Sequence, residues 1–363
     1  MRAVVLRAGE LVLDDIPEPP LGPGQLLVEP LAVGVCGSDL SAWRHTREFT
    51  EASRLTGMDT FLFDPDRDLV MGHEFSSRVV AVGDGVEEYE VGDTLFTLPW
   101  VTDPNGVVHT VGYATDYPGA LAERVVVQAA GHLKIPAGVS PDIMALLDPL
   151  TVGPRAISRS HIPASAGALV TGCGPVGLGA VAGLAALGIA PIVASDPSAS
   201  RRELAARFGA HAIVDPRSDD PAAVWSGLAS KKQRLYVFEA SGAKGLLNTL
   251  FYQVPRLTRI YVVGSNMEQD VITPLVANYK DIAVEFCLSN PDEVESEFAK
   301  VFRRITSGEF DPSPVITAYT GLEGAPKVFE ALRPGDPAGI EQIKVIIRPD
   351  LHTDAYLDPS AVR

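Results

Sequence analysis

Cysteine is scarce in this chain. Three of its 363 residues are cysteines, and they lie far apart, at Cys36, Cys173 and Cys287. An odd number of widely spaced cysteines gives no disulfide framework and is typical of a reducing compartment. The sequence therefore predicts a cytoplasmic protein without disulfide bonds.

Positive charge is also in short supply. The chain has 30 lysines and arginines against 46 aspartates and glutamates, which gives a formal net charge of -16. A chain of this charge repels the phosphates of nucleic acids and of anionic lipids. We therefore expect neither nucleic acid nor a membrane as a partner.

Apolar runs suited to export or to a membrane are missing as well. Only four consecutive apolar residues precede Arg7, too few for a signal-peptide core. Residues 162–195 carry no charged side chain, but Pro163, Pro175, Pro191 and a glycine-rich turn interrupt them. A strand, helix and strand buried on both faces explain this hydropathy without a membrane span.

The length and the pattern of apolar residues predict two domains, because 363 residues exceed what one core usually supports. The first part reads as short strands with proline-rich connections, interrupted by a polar stretch over 45–68 without clear periodicity. Strands near residues 169, 192, 213, 237 and 260, and a sixth over 282–288, alternate with helices. This alternation predicts an α/β domain with a doubly wound parallel sheet.

A glycine-rich turn connects the first of these strands to its helix. Residues 170–177 read VTGCGPVG, which gives GxGxxG spacing and places Pro175 and Val176 inside the turn. Gly172 permits a tight turn, Gly174 lets a pyrophosphate approach bare backbone, and Gly177 lets the helix pack close to the strand. The turn predicts a dinucleotide site.

The next strand ends at Asp196, 24 residues after Gly172. An acid at this distance binds the ribose hydroxyls and repels a 2′-phosphate, so it favours NAD over NADP. Asp196 could equally cap the helix that begins near Ser198. Arg201 and Arg202 could lie near the adenine or accept a phosphate.

The first part of the chain holds four residues of the zinc-ligand type. They are Cys36, His73, Glu74 and Asp148. A thiolate, an imidazole and carboxylates suit an open catalytic zinc site, but these residues match no compact zinc motif. A lone buried cysteine is often a small hydrophobic residue, and a Gly-His-Glu triplet can be a turn. Spacing alone leaves both alternatives open.

In these segments the chain resembles the zinc-dependent medium-chain dehydrogenase/reductases, the alcohol, polyol and threonine dehydrogenase group. The resemblance extends over nearly the whole chain. The matching segments are GVCGSDL at 34–40, GHEFSSRVVAVGDGV at 72–86, VGDTLF at 91–96, DPLTVG at 148–153, GCGPVGLGAV at 172–181 and IKVIIRPD at 343–350.

The resemblance implies a GroES-like, mostly-β catalytic domain over 1–150 and 288–363, and a Rossmann domain over 151–287. It implies that Cys36, His73 and Asp148 hold one catalytic zinc, with Glu74 as an alternative ligand or a contact of a ligand. Ser38 would pass on the proton of the alcohol. The implied reaction is hydride transfer between an alcohol and NAD. The alcohol would be a secondary alcohol or a polyol, and its oxidation gives a ketone or an aldehyde.

Three positions depart from the family pattern. Polyol-type relatives carry a glutamate at the position of Asp148. The stretch 98–115, where the family holds four cysteines for a structural zinc, contains none, so no structural zinc is expected. Ser41 replaces a histidine that often ends the proton relay, and His45 could substitute for it or be a solvated surface residue.

Two further regions carry expectations. The polar stretch over 44–70 is a candidate substrate lid or a surface insertion. Relatives form dimers or tetramers through the outer edge of the nucleotide-binding sheet, so we expect a homodimer or homotetramer with contacts near residues 271–288.

Two rival functions are a zinc-free NADPH-dependent enone or quinone reductase and a non-enzymatic NAD-binding protein.

Overall fold

The computed structural model describes residues 1–58, 61–267, 269–287, 291–332 and 342–362. The chain divides into two compact units, Met1–Asp148 with Phe302–Arg363, and Pro149–Val301. The second boundary between these units lies inside the helix Pro291–Thr306, and the domain bounds that the resemblance implied stay a prediction. Among the described residues, no helix combines the length and apolar character needed to span a membrane.

The first unit is built mainly of strands. Its strands are β1 (Arg2–Arg7), β2 (Glu10–Asp15), β3 (Gln25–Gly34), β4 (Leu69–Val70), β5 (Glu74–Val82), β6 (Thr94–Thr97), β7 (Trp100–Thr102), β8 (Val108–Thr110), β9 (Val125–Gln128) and β10 (Leu133–Lys134). Helices α1 (Gly37–Arg44), α2 (Thr46–Thr56) and α3 (Pro141–Met144) are interspersed with them. Helix α4 (Leu147–Ser160) leads out of this unit.

The second unit alternates strands with helices. Its strands are β11 (Gly167–Thr171), β12 (Ile192–Ser195), β13 (Ala212–Val214), β14 (Leu235–Glu239), β15 (Arg259–Val262) and β16 (Ala283–Phe286). Its helices are α5 (Pro175–Ala186), α6 (Ala199–Arg207), α7 (Pro221–Leu228), α8 (Leu246–Gln253), α9 (Pro274–Lys280) and α10 (Pro291–Thr306). After α10, the first unit resumes with β17 (Ile316–Thr320), α11 (Ala325–Ala331) and β18 (Lys344–Ile347).

The main sheet of the first unit joins distant parts of the chain. Its strand order is β10-β6-β5-β3-β18-β17, and β9 also pairs with β3. Strand β3 is central because it pairs antiparallel with β5, β9 and β18. Most residues of β3 and the first four residues of β5 are buried, as expected for strands enclosed by other elements, and Phe75 and Leu26 are fully enclosed.

The second unit has the predicted doubly wound sheet. All neighbouring strands are parallel, in the order β13-β12-β11-β14-β15-β16. This is the 3-2-1-4-5-6 order of a Rossmann fold, and the fold class predicted from the sequence is confirmed. The central strand β11 is fully buried because helices cover both faces of a parallel sheet.

The polar stretch after α1 differs from the expectation of a loop without periodic structure. Residues Thr46–Thr56 form the helix α2, which ends at Gly57 in the left-handed conformation, with φ of 70°. Its buried face consists of Phe49, Thr50 and Ser53, and only the first of these is apolar. Phe49, Ala52 and Leu55 recur at near-helical spacing, so the sequence does carry a periodic signal for α2, and the description of this stretch as aperiodic was wrong.

The glycines of the turn after β11 have the geometry that the sequence predicts for them. Gly172 has a φ of 86°, and a Cβ atom there would meet the Ser241 backbone nitrogen at 2.8 Å. A Cβ atom on Gly177 would lie 1.8 Å from the Gly172 carbonyl oxygen. At Gly174 a Cβ atom would meet nothing within 4 Å. The turn therefore closes tightly at two glycines and leaves open space at the third.

We predict that Gly177→Ala destabilises the second unit, because its methyl group would push α5 away from β11. Overpacking of this kind costs about 1–3 kcal/mol. Gly227→Ala is the matched control, since that glycine lies in α7 and a Cβ atom there meets nothing within 4 Å. Thermal unfolding should show a lower midpoint for the first variant and an equal or higher one for the second; equal midpoints for both would contradict the packing.

Candidate active site

Three of the predicted zinc ligands lie together in the first unit. Cys36 stands between β3 and α1, and His73 and Glu74 stand at the entry to β5. Because β3 pairs with β5 and Gly34 lies opposite Glu74, the two segments run side by side. The ligand atoms of Cys36, His73 and Glu74 all lie within 4.8 Å of one another. We call these three residues the thiol–imidazole–carboxylate group.

The carboxylate of Asp39 orients two members of this group. Its Oδ2 atom accepts a hydrogen bond from the Cys36 backbone N–H at 2.9 Å, and its Oδ1 atom lies 3.2 Å from His73 Nδ1. Burial opposes a charge on His73, but the neighbouring carboxylate outweighs it and raises the pKa of His73 well above its usual value. Because Nδ1 contacts a carboxylate, Nε2 is the nitrogen left for a metal.

A buried ion pair holds the third member. The ammonium group of Lys344 in β18 bonds to Glu74 Oε2 and donates a further hydrogen bond to the Val35 carbonyl oxygen at 2.8 Å. Only 1% of Glu74 and 5% of Lys344 is exposed. A Cβ atom on Gly34 would meet Lys344 Cε at 2.6 Å and Glu74 Oε2 at 2.7 Å. The pair therefore fits because residue 34 is a glycine.

The donor set fits a zinc ion. Zinc binds thiolate, imidazole and carboxylate ligands, and catalytic sites use three protein ligands and leave one position open. Burial and the charge of Glu74 raise the pKa of the Cys36 thiol. A bound divalent cation reverses this effect, since it favours the thiolate and offsets the buried carboxylate.

Hydroxyl groups line the start of α1. Ser38 is half-buried, and its Oγ atom accepts a hydrogen bond from the Tyr113 phenol at 2.8 Å. Ser41, at the position of the family's relay histidine, donates its hydroxyl to the Gly37 carbonyl oxygen at 3.1 Å. His45 lies between α1 and α2, where its backbone N–H bonds to the Ser41 carbonyl oxygen at 2.8 Å.

Asp148 is not a member of this group. It is half-buried in the first turn of α4, and its carboxylate is not among the ligand atoms that lie together in the described part of the chain. A role for Asp148 as a zinc ligand therefore stays a prediction. The group as it stands contains Glu74 as its carboxylate.

The second unit brings together the residues predicted to bind the dinucleotide. Gly174 caps α5, and Pro175 and Val176 begin that helix. Asp196 follows β12, and its carboxylate accepts hydrogen bonds from the backbone N–H groups of Cys173 at 2.8 Å and Ser198 at 2.7 Å. The acid therefore contacts the glycine turn itself, next to a helix N-terminus suited to phosphates.

A serine and two arginines after Asp196 cap the next helix and make the neighbouring contacts. The N-cap of α6 is Ser198, whose hydroxyl accepts the Arg201 N–H, so Asp196 is not the cap. Arg202 bonds to the Asp196 carbonyl oxygen at 2.6 Å and to the Asp215 carboxylate at 3.3 Å. Arg201 lies in the first turn of α6 and is half-buried. Arg202 is thus engaged within the protein.

Sequence reasoning missed three residues of the site, Asp39, Tyr113 and Lys344. Asp39 carries a sequence signal, because a carboxylate three residues after an N-cap position can accept a bond from the N-cap backbone N–H. Lys344 carries a signal as well, because it is a lone charge within the apolar run 343–347. Tyr113 has no local signal, since its partners lie more than 70 residues away.

Comparison with known proteins identifies related sequences along most of the chain. Residues 22–137 match the family described as "Alcohol dehydrogenase GroES-like domain", and residues 175–307 match "Zinc-binding dehydrogenase". L-threonine 3-dehydrogenase of Pyrococcus furiosus is 30% identical over 340 residues, which cover 90% of this chain and 92% of that protein. Sorbitol dehydrogenase of Gallus gallus is 27% identical and is covered over 96% of both chains.

Solved structures agree with these matches. The structure of 2R,3R-butanediol dehydrogenase from Bacillus subtilis superposes with a TM-score of 0.78 at 25% identity, over 96% of this chain and 99% of that one. The family and the two-domain fold class that the sequence motifs implied are confirmed. This chain therefore belongs to the zinc-binding dehydrogenases of the medium-chain dehydrogenase/reductase superfamily.

Proposed function

We propose that this protein transfers hydride between a secondary alcohol or polyol and NAD. The observation that carries this proposal is the convergence of Cys36, His73 and Glu74 within 4.8 Å of one another. Relatives named as threonine, sorbitol and butanediol dehydrogenases support an alcohol with a neighbouring polar group as substrate. The widely spaced free cysteines are consistent with a cytoplasmic location.

We assign Cys36, His73 and Glu74 as the residues that hold one catalytic zinc. When bound, zinc supplies a Lewis acid that lowers the pKa of an alcohol hydroxyl, and NAD supplies the hydride acceptor. Asp39 directs His73 Nε2 toward the site through its bond to Nδ1. Lys344 fixes Glu74 Oε2, which leaves Glu74 Oε1 for the ion. Asp148 stays a candidate for a further contact.

Ser38 is the residue we assign to proton transfer. It lies two residues after Cys36 in the first turn of α1, and its hydroxyl can accept a proton from an alcohol and pass it on. Ser41 is bonded to the carbonyl group of its own helix, so it does not take over the role of a relay histidine.

The preference for NAD rests on the charge of Asp196. This carboxylate is 4% exposed and lies against the backbone of the glycine turn, where the ribose of a dinucleotide binds. A 2′-phosphate at that place would meet a negative charge. Arg202, which could offset this charge, is bonded to Asp215 and to the Asp196 carbonyl oxygen.

We propose that two copies associate through the outer strand of the second unit. β16 is the last strand of its sheet among the described residues, and Phe286 at its end is 68% exposed. Val271, Leu275 and Tyr279 nearby are also exposed. An uncovered strand edge with adjacent apolar side chains is suited to pairing with a second copy about a twofold axis.

The function is tested by metal analysis together with an NAD-linked screen of secondary alcohols and polyols. We expect one zinc per chain in the purified protein and turnover of at least one alcohol. Cys36→Ser and Glu74→Gln should lose zinc and reduce kcat more than about a hundredfold, because each removes a ligand. Asp148→Asn should retain zinc. Thermal unfolding of each variant controls for misfolding.

Three outcomes of this experiment would each contradict a different part of the proposal. Loss of zinc in Asp148→Asn but not in Glu74→Gln would make Asp148 the ligand. A zinc-free protein that reduces enones or quinones with NADPH would overturn the proposed reaction. Binding of zinc and NAD without turnover of any alcohol would favour a non-enzymatic role.

We predict that Gly174→Val weakens NAD binding by at least about a hundredfold, because the new side chain fills the space that a pyrophosphate needs. The fold should tolerate the change, since the residue has φ of -70° and a Cβ atom there meets nothing within 4 Å. Calorimetry measures the Kd for NAD, and thermal unfolding of the cofactor-free protein is the control. An unchanged Kd would refute the site.

We expect Phe286→Asp to shift the protein toward the monomer, since a charge at the strand edge would be buried on association. Sedimentation velocity measures the mass. Leu187→Asp is the matched control, because Leu187 is 59% exposed in the same unit but follows α5 rather than β16. If both variants keep the oligomeric state of the parent protein, the proposed interface is wrong.

A further inference from the structure

Tyr113 is a buried aromatic residue next to the thiol–imidazole–carboxylate group. Only 1% of it is exposed. The centroid of its ring lies 5.0 Å from that of His73, 5.5 Å from that of Phe49 and 5.3 Å from that of Phe61. The ring is therefore fixed on several sides, and its hydroxyl group has one defined position.

The backbone brings Tyr113 to this place through a close approach of two glycines. Gly112 has φ of 89°, and a Cβ atom there would lie 2.9 Å from the Gly72 carbonyl oxygen. Gly72 itself immediately precedes His73 and has φ of 100°. A side chain at Gly112 would separate the segment after β8 from the segment before β5, and a Cβ atom on Gly72 would meet the Leu121 backbone nitrogen at 2.9 Å.

The phenol group contacts two residues at the start of α1. Its oxygen lies 2.8 Å from Ser38 Oγ and 3.2 Å from Asp39 Oδ1, the same oxygen that contacts His73 Nδ1. The contact with Ser38 is the shorter of the two, and in it the phenol O–H donates to Ser38 Oγ.

We propose that Tyr113 is a positioning residue that holds the Ser38 hydroxyl in the rotamer needed for proton transfer. The inference rests on the proposed function, in which Ser38 accepts the proton of the alcohol. A serine hydroxyl otherwise distributes over three staggered rotamers. Of the nearby hydroxyl groups, Ser41 bonds to the Gly37 carbonyl oxygen, so it does not fix Ser38.

This role gives a function to a segment that departs from the family pattern. Residues 98–115 lack the cysteines of a structural zinc and contain β7 and β8, which form an antiparallel hairpin. Tyr113 lies three residues after the end of β8, with its backbone N–H bonded to the Thr110 carbonyl oxygen at 3.0 Å. The segment thus contributes a side chain to the site.

A double-mutant cycle with Tyr113→Phe and Ser38→Ala tests the proposal. Phenylalanine keeps the ring contacts and removes only the hydroxyl. We expect Tyr113→Phe to lower kcat about tenfold with little change in KM, because a misplaced relay slows proton transfer rather than binding. In the Ser38→Ala background it should cause no further loss. An equal loss in both backgrounds, or no loss in either, would overturn the proposal.

Tyr117→Phe is the matched control, because that ring packs on His109 rather than on the site. It should leave kcat unchanged. A second readout uses zinc-free protein, in which Tyr113→Phe should lower the thermal midpoint, because the phenol oxygen that contacts both Ser38 and Asp39 is removed. Tyr117→Phe should not lower it. Equal midpoints for both variants would contradict the hydrogen bonds. If Ser38→Ala itself leaves kcat unchanged, the proposed proton route fails together with this inference.

Discussion

The candidate site depends on the buried carboxylate of Asp39. This side chain is 1% exposed and contacts the Cys36 backbone N–H, the His73 ring and the Tyr113 phenol. A carboxylate removed from water is costly unless donors surround it, so the three contacts stabilise one arrangement together. Because the donors belong to three separate segments, one side chain determines how those segments lie relative to one another.

The dinucleotide site depends on the backbone instead. Its turn is closed by Gly172 and Gly177, where no Cβ atom fits, and Asp196 is held by two backbone N–H groups. These contacts are made to backbone atoms, so the shape of the turn follows from chain geometry. The two sites therefore tolerate different changes: the first is sensitive to the chemistry of side chains, and the second to their volume.

This difference explains how far each site could be predicted from the sequence. The glycine turn is a local pattern, so its strand, helix and acid could be assigned with nearly correct bounds. The bonds of Lys344 to Glu74 and of Tyr113 to Ser38 connect residues 270 and 75 positions apart, and no periodicity marks them. Helix α2 was missed although it carries a local signal, because its three apolar residues, Phe49, Ala52 and Leu55, are separated by polar ones within a longer polar stretch.

The ion pair between Lys344 in β18 and Glu74 at the entry to β5 affects the order in which the chain can fold during synthesis. Synthesis proceeds from the N-terminus, so Glu74 leaves the ribosome 270 residues before the lysine that neutralises it. Until β18 inserts beside β3, a nascent first unit has a carboxylate in its interior without a cation. Completion of the catalytic unit is thereby delayed until the intervening nucleotide-binding unit has been synthesised.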